Sequence, residues 1–555
     1  MSEYKFDYIF KAPLPMEGST YPGFNPRTEK AKGMVIDYDY SVKMRDGVKI
    51  YIDVFRPDKE GQFPVLLCWG PYGKQGRPTI FGAMGNCGID DEDINKYTGF
   101  EAGDPVYWCR NGFIIINADS RGAWGSEGDL TFMSPQEAED CYDLIEWAGT
   151  QGWSNRKVGM MGVSYLAWTQ WKAAALNPPH LAAINPWEGV SDFYRELSYH
   201  GGIPETNFRV TWMTSIGFGK NRVEDFIANG NAHPLFDDYW KSKNADLTKI
   251  TVPAFVVASW TDHGLHNRGT LEGFKQIASK DKWLLVHGRK KWWHFYKKES
   301  VEMQRQFFNR FLKGIDNAVK KWPRVNIEIR EKYYVGETRT ENEWPLARTR
   351  YTKLFLNAAN SEITRNSPRK EAHVSYSAND ITDKTQNVKF EYLFDDKTEI
   401  TGHMKLKLWV QADGADDMDL FIALEKIDRA GYIVPFPFFG NHDDGPVALG
   451  WLRVSHRELD EAKSTPYQPV HLHQRELKLK PGEIVPVEIE IWPSCTLFER
   501  GEKLRVTVQG SDIYWYPYER HTNGHTLTVN KGSHVIYTGG KYDSHLLAPV
   551  IPTER

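Results

Sequence analysis

Up to about residue 320 the apolar residues fall in short unbroken runs separated by stretches at helical spacing. The runs at 63–69, 112–118, 158–163, 181–186, 252–260 and 282–286 read as strands buried on both faces, because a strand with one wet face would alternate. Between them, 135–148 predicts a helix with Ser134 as N-cap, Pro135 in the first helical position, acids in its first turn, and Leu144, Trp147 and Ala148 inward. Further helical patterns follow Ser164 through Trp171 and Ala175, span 269–278, and span 300–312, where Met303, Phe307, Phe308 and Phe311 form a packing stripe. Strand, helix, strand in repetition predicts a parallel α/β sheet, closing at 282–286. Ahead of it, the Pro- and Gly-rich residues 1–33 read as an irregular arm, and Asp46-Gly47 between alternating segments predicts a hairpin.

Two stretches break this pattern. Residues 190–248 are polar, aromatic and helical in texture without strand alternation, which predicts a helical insertion capping the sheet. After about residue 320 the period becomes two, in segments at 324–330, 351–356, 403–410, 420–424, 485–491, 504–508 and 525–529, with Pro486 marking an edge or a late start. Many short strands without intervening helices predict a β-sandwich or jelly roll, and the lack of a fixed repeat argues against a propeller. The expected division is 1–189 and 249–320 as two parts of one α/β domain, 190–248 as its cap, and 321–555 as the all-β domain.

Composition narrows the function classes. At 555 residues the chain exceeds one hydrophobic core, and 41% hydrophobic with 26% charged residues is ordinary for a globular protein. A net charge of -4 gives no reason to expect nucleic acid or an anionic membrane as partner. The five cysteines show neither C-x-x-C spacing nor scaffold density, and no apolar stretch reaches a membrane span or a signal core, so a cytoplasmic location with reduced thiols is expected. Twenty tryptophans, within 14% aromatic residues, favour a broad apolar cleft.

Candidate chemistry sits where strands end. Gly162-Val163-Ser164-Tyr165 spans a strand-to-helix turn, the place of a nucleophile elbow, although Leu166 stands where a second glycine is usual. Asp262 follows the 252–260 strand and fits an orienting acid. His287 ends the next strand and His294 lies in the loop beyond it; reaching back to Ser164 favours His294, with His287 a rival and His263 and His266 weaker candidates. The Tyr165 backbone N–H is placed to receive an oxyanion. His263 and His266 are spaced H-x-x-H, but no H-E-x-x-H or carboxylate set accompanies them, so neither metal nor cofactor is expected.

Gly159-Met160-Met161-Gly162-Val163-Ser164-Tyr165, with Gly70-Pro71-Tyr72-Gly73-Lys74, Asp119-Ser120-Arg121-Gly122 and Gln151-Gly152-Trp153-Ser154, resembles the bacterial cocaine esterase (CocE/NonD) family. That family is related to α-amino-acid ester hydrolases, cephalosporin acylases and X-Pro dipeptidyl-peptidases. The resemblance covers nearly the whole chain and implies an α/β-hydrolase domain with an inserted helical cap followed by an all-β jelly roll. It implies Ser164 as nucleophile, Asp262 as acid, and the Tyr72 hydroxyl beside the Tyr165 N–H in the oxyanion hole. The family's Gly-Pro-Trp-x-His pattern is altered here to Val286-His287-Gly288 and Lys291-Trp292-Trp293-His294, whose Trp292-x-His294 portion supports His294. The expected activity is a serine hydrolase cleaving a carboxylic ester through an acyl-enzyme, with amidase, acylase or X-Pro dipeptidyl-peptidase chemistry as the alternative and a non-catalytic carbohydrate- or protein-binding role behind both. The partner is then a small ester or amide, and a homo-oligomer stays open. Trp187, Phe193 and Trp212 suggest an apolar or aryl acyl pocket, and Asp192 or Glu188 a site for a substrate ammonium.

Overall fold

The alternation of buried side chains between two faces organises the central sheet. In the computed structural model, which describes residues 6–17, 19, 22–75, 85–90, 92–516 and 522–552, seven parallel strands stand side by side in the order Ile114–Asp119, Phe63–Gly70, Ser154–Val163, Leu181–Trp187, Ala254–Ser259, Lys282–His287 and Val325–Lys332. Leu66, Ile115, Met161 and Phe255 face one core, while their neighbours Leu67, Ile116, Met160 and Val256 face the other. Helices cover both. Pro135–Thr150 packs Leu144, Ile145 and Ala148 onto one face, and Lys298–Lys313 packs Phe307, Phe308 and Leu312 onto the other. The Ser134 hydroxyl accepts the Glu137 N–H at 3.1 Å, capping the first of these helices as its sequence requires.

Lys49–Pro57 joins Ile114–Asp119 antiparallel, and Met34–Lys43 and Arg27–Ala31 continue the sheet beyond it through the Asp46-Gly47 turn, where Gly47 takes a φ of 92°. The part of the 75–105 excursion at 76–84 and 91 lies outside the described residues, as do residues 1–5, 18 and 20–21 of the arm. Within 190–248 lie a π-helical turn, Tyr194–Ser198, and helices Phe208–Ile216, Phe226–Ala232 and Asp238–Lys243. Contrary to the strand-free reading, two-residue strands also occur there; Val223–Glu224 pairs with Phe10–Lys11 of the arm and ties it down.

The C-terminal region is β-rich. Thr398–Asp413 pairs with Val485–Phe498, Ser533–Thr538 and His545–Ile551, and Asp419–Ile427 pairs with Lys503–Gln509 and Ala448–Arg453. Leu406, Leu408, Ile422, Ile489 and Val506 meet in a separate core. Three elements differ from the sequence reading. Val325–Lys332 adds to the parallel sheet beyond 282–286, where the reading closed it, and also meets the C-terminal strands at Arg330 and Thr496. The apolar alternation at 525–529 forms no strand, because its N–H groups are taken by side chains: His525 N–H by Asp512, Thr526 N–H by Thr206 and Val529 N–H by Asp419. The loop expected around His294 is the helical turn Lys291–Tyr296. No helix among the described residues is long and apolar enough to cross a membrane.

Candidate active site

The Ser154–Val163 strand ends against the Tyr165–Ala174 helix, and Ser164 between them has φ 58° and ψ −116°. A non-glycine residue holds such a conformation only where its surroundings impose it. Here the Ser164 N–H is bonded to the Trp187 carbonyl at 2.9 Å and its carbonyl accepts the Ala167 and Trp168 N–H groups. Gly162 has φ 133°, and a Cβ on it would stand 2.5 Å from the Leu166 Cβ; one on Gly70 would stand 3.0 Å from the Leu166 Cδ1. Leu166 thus fills the space that a second elbow glycine would leave, and glycines on the facing backbone make room for it.

The turn after Ala254–Ser259 supplies the rest. The Asp262 carbonyl accepts the Asn267 N–H at 3.1 Å, winding the chain into the Asn267–Gln276 helix and bringing His266 back over Asp262. His266 Nε2 lies 3.0 Å from Ser164 Oγ, and His266 Nδ1 lies 2.5 Å from Asp262 Oδ2. All three side chains are buried. Burial, together with the nearby Lys291 charge, pushes the His266 pKa down against the pull of Asp262, favouring the neutral imidazole that can accept a proton. Burial alone would lift Asp262; Lys291 and His266 override it and hold the carboxyl well below its usual range.

His287 and His294 are not brought to Ser164. Their rings pack on each other with centroids 4.1 Å apart, and His287 Nε2 lies 3.3 Å from Glu188 Oε1. The physical reason is the helical turn at Lys291–Tyr296, which sends His294 back toward the Lys282–His287 strand and delivers Lys291 to the acid: Lys291 Nζ is 2.9 Å from Asp262 Oδ2. Burial lowers the pKa of His287 to about 3 and that of His294 well below its ordinary value. The signal for His266 is the four-residue interval from Asp262 in a tight turn leaving a buried strand, which stacks the two side chains.

Ser164 opens onto a cavity of about 60 Å3, lined also by Tyr72, Glu101, Trp212, Lys291 and Trp292, with Phe208 of the 190–248 stretch and Phe439 of the C-terminal region closing it. Tyr72 is buried and its hydroxyl accepts the Trp212 Nε1–H at 3.3 Å; burial, then the Glu101 charge, raises its pKa well above normal, so it remains a donor. The Tyr165 hydroxyl points away, donating to Glu137, while its N–H heads the helix among the first-turn donors that have no intrahelical acceptor. Of the expected pocket residues, Trp212 alone lines the cavity. The Trp187 side chain packs on Phe295 and His294, Phe193 packs behind Trp168, Asp192 is paired with Arg195 at 2.6 Å, and Glu188 accepts the Ser259 hydroxyl beneath the site. Glu101 was not expected from the sequence, which shows only Phe100-Glu101-Ala102-Gly103 in an irregular stretch.

Glu188, Asp262 and His266 each offer a ligand atom within 4.8 Å of the others, a spacing that suits a divalent ion. Lys291 Nζ already stands at Asp262 Oδ2 and 3.2 Å from His266 Nδ1, so a cation of the protein's own serves the position and the donor set does not fit a metal.

Known proteins match at both levels. Residues 46–296 match the family described as X-Pro dipeptidyl-peptidase (S15 family), and residues 317–547 match the X-Pro dipeptidyl-peptidase C-terminal non-catalytic domain. The cocaine esterase of Rhodococcus sp. is 25% identical over 93% of this chain and 100% of that protein. A crystal structure of a CocE/NonD family hydrolase from Staphylococcus aureus is 46% identical, with a TM-score of 0.90 over 93% of this chain and 94% of that one. An α-amino acid ester hydrolase shares the fold, with a TM-score of 0.71 at 16% identity over 97% of this chain and 100% of that one.

Proposed function

This chain belongs to the CocE/NonD family of hydrolases and is a serine hydrolase acting on esters or peptides, and from that premise we propose that it cleaves a carboxylic ester through an acyl-enzyme on Ser164, with His266 as base and Asp262 as the group that orients it. The observation that carries this reading is the continuous line Ser164 Oγ to His266 Nε2 at 3.0 Å and His266 Nδ1 to Asp262 Oδ2 at 2.5 Å.

The hydroxyl donates its proton to His266 Nε2 as Oγ attacks the ester carbonyl. The oxyanion is received by the Tyr165 N–H and the Tyr72 hydroxyl, two donors held in a dry site before charge develops. The imidazolium, stabilised by Asp262, gives its proton to the departing alcohol. The neutral imidazole left behind then takes a proton from the water that attacks the acyl-enzyme and returns it to Ser164 Oγ as the carboxylic acid departs. In this reading residues 190–248 cap the cleft through Phe208 and Trp212, and the 321–555 region is a jelly roll that reaches it through Phe439. Location in the cytoplasm belongs to the same reading.

Turnover of p-nitrophenyl acetate tests it. Wild type is expected to hydrolyse the ester and to be labelled at Ser164 by a fluorophosphonate. Ser164→Ala and His266→Ala are each expected to lose on the order of a thousandfold or more in kcat, while His294→Gln stays within a few-fold. Full activity in His266→Ala would overturn the assignment of the base. Aminoacyl amides and X-Pro substrates assayed beside the ester decide between ester and amide preference.

A further inference from the structure

Two segments that stand out in the sequence, Gly70-Pro71-Tyr72-Gly73-Lys74 and Asp119-Ser120-Arg121-Gly122, lie beside each other in the fold. Gly70 and Asp119 are register partners at the ends of two adjacent parallel strands, and the chain beyond Gly70 brings Tyr72 to the Ser164 cavity. Tyr72 therefore sits in irregular backbone outside helix and strand, and its hydroxyl can be no better placed than the residues on either side of it.

Both sides are anchored. Before Tyr72, the Gly70 carbonyl accepts the Ser120 N–H at 3.3 Å and the Pro71 carbonyl accepts the Trp124 Nε1–H at 2.9 Å. After it, Asp119 spends both carboxylate oxygens on Lys74: Oδ1 accepts the backbone N–H at 2.7 Å and Oδ2 accepts Nζ–H at 3.1 Å. The Lys74 carbonyl accepts Asn117 Nδ2–H at 3.2 Å. From the other direction Asp39 Oδ1 stands 2.7 Å from Lys74 Nζ, reaching inward from a bulge in Met34–Lys43 where its φ is 52°.

As a source of stability this cluster is poorly designed. The side chains of Lys74, Asp39 and Asp119 are 0% exposed. Burial raises the pKa of Asp119 and, in spite of the Lys74 charge, lifts that of Asp53, which accepts the Asp39 N–H at 2.8 Å, to about 7. Buried ion pairs seldom stabilise more than an apolar replacement would; what they supply is one defined geometry, since any other arrangement leaves a charge unpaired. Here the geometry is needed two residues away, at the oxyanion donor.

We propose that Lys74 and Asp119 are a pair of positioning residues that sets where the Tyr72 hydroxyl meets the oxyanion. This rests on the hydrolase reading above and adds to it the groups that place one of its donors.

A double-mutant cycle on p-nitrophenyl acetate tests it. Asp119→Asn keeps an acceptor for the Lys74 N–H and removes the charge that holds its ammonium. In the wild-type background it is expected to lower kcat roughly tenfold with KM within about twofold, because the oxyanion exists only in the transition state. In the Tyr72→Phe background, which has no hydroxyl to misplace, the same change is expected to cost less than about twofold. A loss of folded enzyme would lower kcat by one factor in both backgrounds, so equal factors overturn the proposal, as does an unchanged kcat in Asp119→Asn alone. Should Asp119→Asn not fold, Lys74→Gln, which keeps N–H donors for Asp119, carries the same cycle with the same outcomes. Crystal structures separate failure of the pair from failure of the hydrolase reading: in the single variant the Tyr72 hydroxyl is expected to shift by about 1 Å or more, breaking its 3.3 Å contact with Trp212 Nε1. A wild type that turns over no ester defeats the hydrolase reading while the displacement still decides the role of the pair; an unmoved hydroxyl overturns that role.

Discussion

Lys291 Nζ and His266 Nδ1 both point at the same oxygen, Asp262 Oδ2, at 2.9 and 2.5 Å, and stand 3.2 Å from each other. One Asp262 oxygen is therefore shared between the histidine and the lysine ammonium. Lys291 helps keep the acid ionised in a fully buried place, and its charge opposes formation of the imidazolium next to it.

Replacing Lys291 should therefore move the pH profile as well as lower the rate. In the proposed mechanism His266 acts in its neutral form, and burial and then the Lys291 charge lower its pKa. Lys291→Met removes that charge, so the acid limb of kcat/KM should move upward by roughly one pH unit. Loss of the cation from a buried pair should also cost about 3 kcal/mol in stability. Rates across pH 5 to 9 on a neutral p-nitrophenyl ester, paired with a denaturant titration, measure both. A lowered rate with an unmoved limb would mean that Lys291 only packs.

The elbow makes a steric prediction. Gly162→Ala places a methyl 2.5 Å from the Leu166 Cβ and 3.0 Å from the Glu101 carbonyl oxygen, at a φ of 133° that other residues avoid. The expected loss is about 3 kcal/mol, read as a lower denaturation midpoint, with a larger fractional loss of activity because Ser164 is displaced. Adding Leu166→Gly removes one of the two close contacts and should recover part of the stability. No recovery would show that backbone strain dominates over the clash.

How far the sequence could be read follows from where the information lies. The apolar runs found the strands because a buried parallel strand excludes polar residues locally, and Ser164 and Asp262 stood out as candidates because each follows such a run. The choice between histidines was not local. His294 and His266 each follow a strand of the same sheet, and what separates them is the helical turn at Lys291–Tyr296, which rotates His294 away and Lys291 inward. Glu101 is invisible for the same reason: its position depends on a bond between its carbonyl and a strand more than sixty residues later. The segment at 525–529 alternated as a strand should, yet its N–H groups found side-chain acceptors first.

Glu137, beneath the nucleophile helix, predicts a pH dependence of stability separate from catalysis. Its carboxylate accepts the Trp69 Nε1–H at 3.0 Å, the Tyr165 hydroxyl at 2.8 Å and the Met133 N–H at 2.7 Å, yet burial outweighs these bonds and raises its pKa from 4.5 to about 7. A folded pKa above the unfolded one means that the native state holds the proton more tightly. The contribution is complete below about 4.5 and is lost as pH rises through about 7, a change on the order of 3 kcal/mol. Glu101, lifted to about 8, acts in the same direction over a slightly higher range. Melting temperatures at pH 5 and pH 8 should therefore fall more steeply in wild type than in Glu137→Gln, which keeps an acceptor for Tyr165 but has no proton to lose. Glu272, held near 2 by Lys275 and Arg268 against its burial, titrates below this window and leaves the comparison untouched. Parallel melting curves for the two proteins would place the ionisation of Glu137 outside the pH 5 to 8 range.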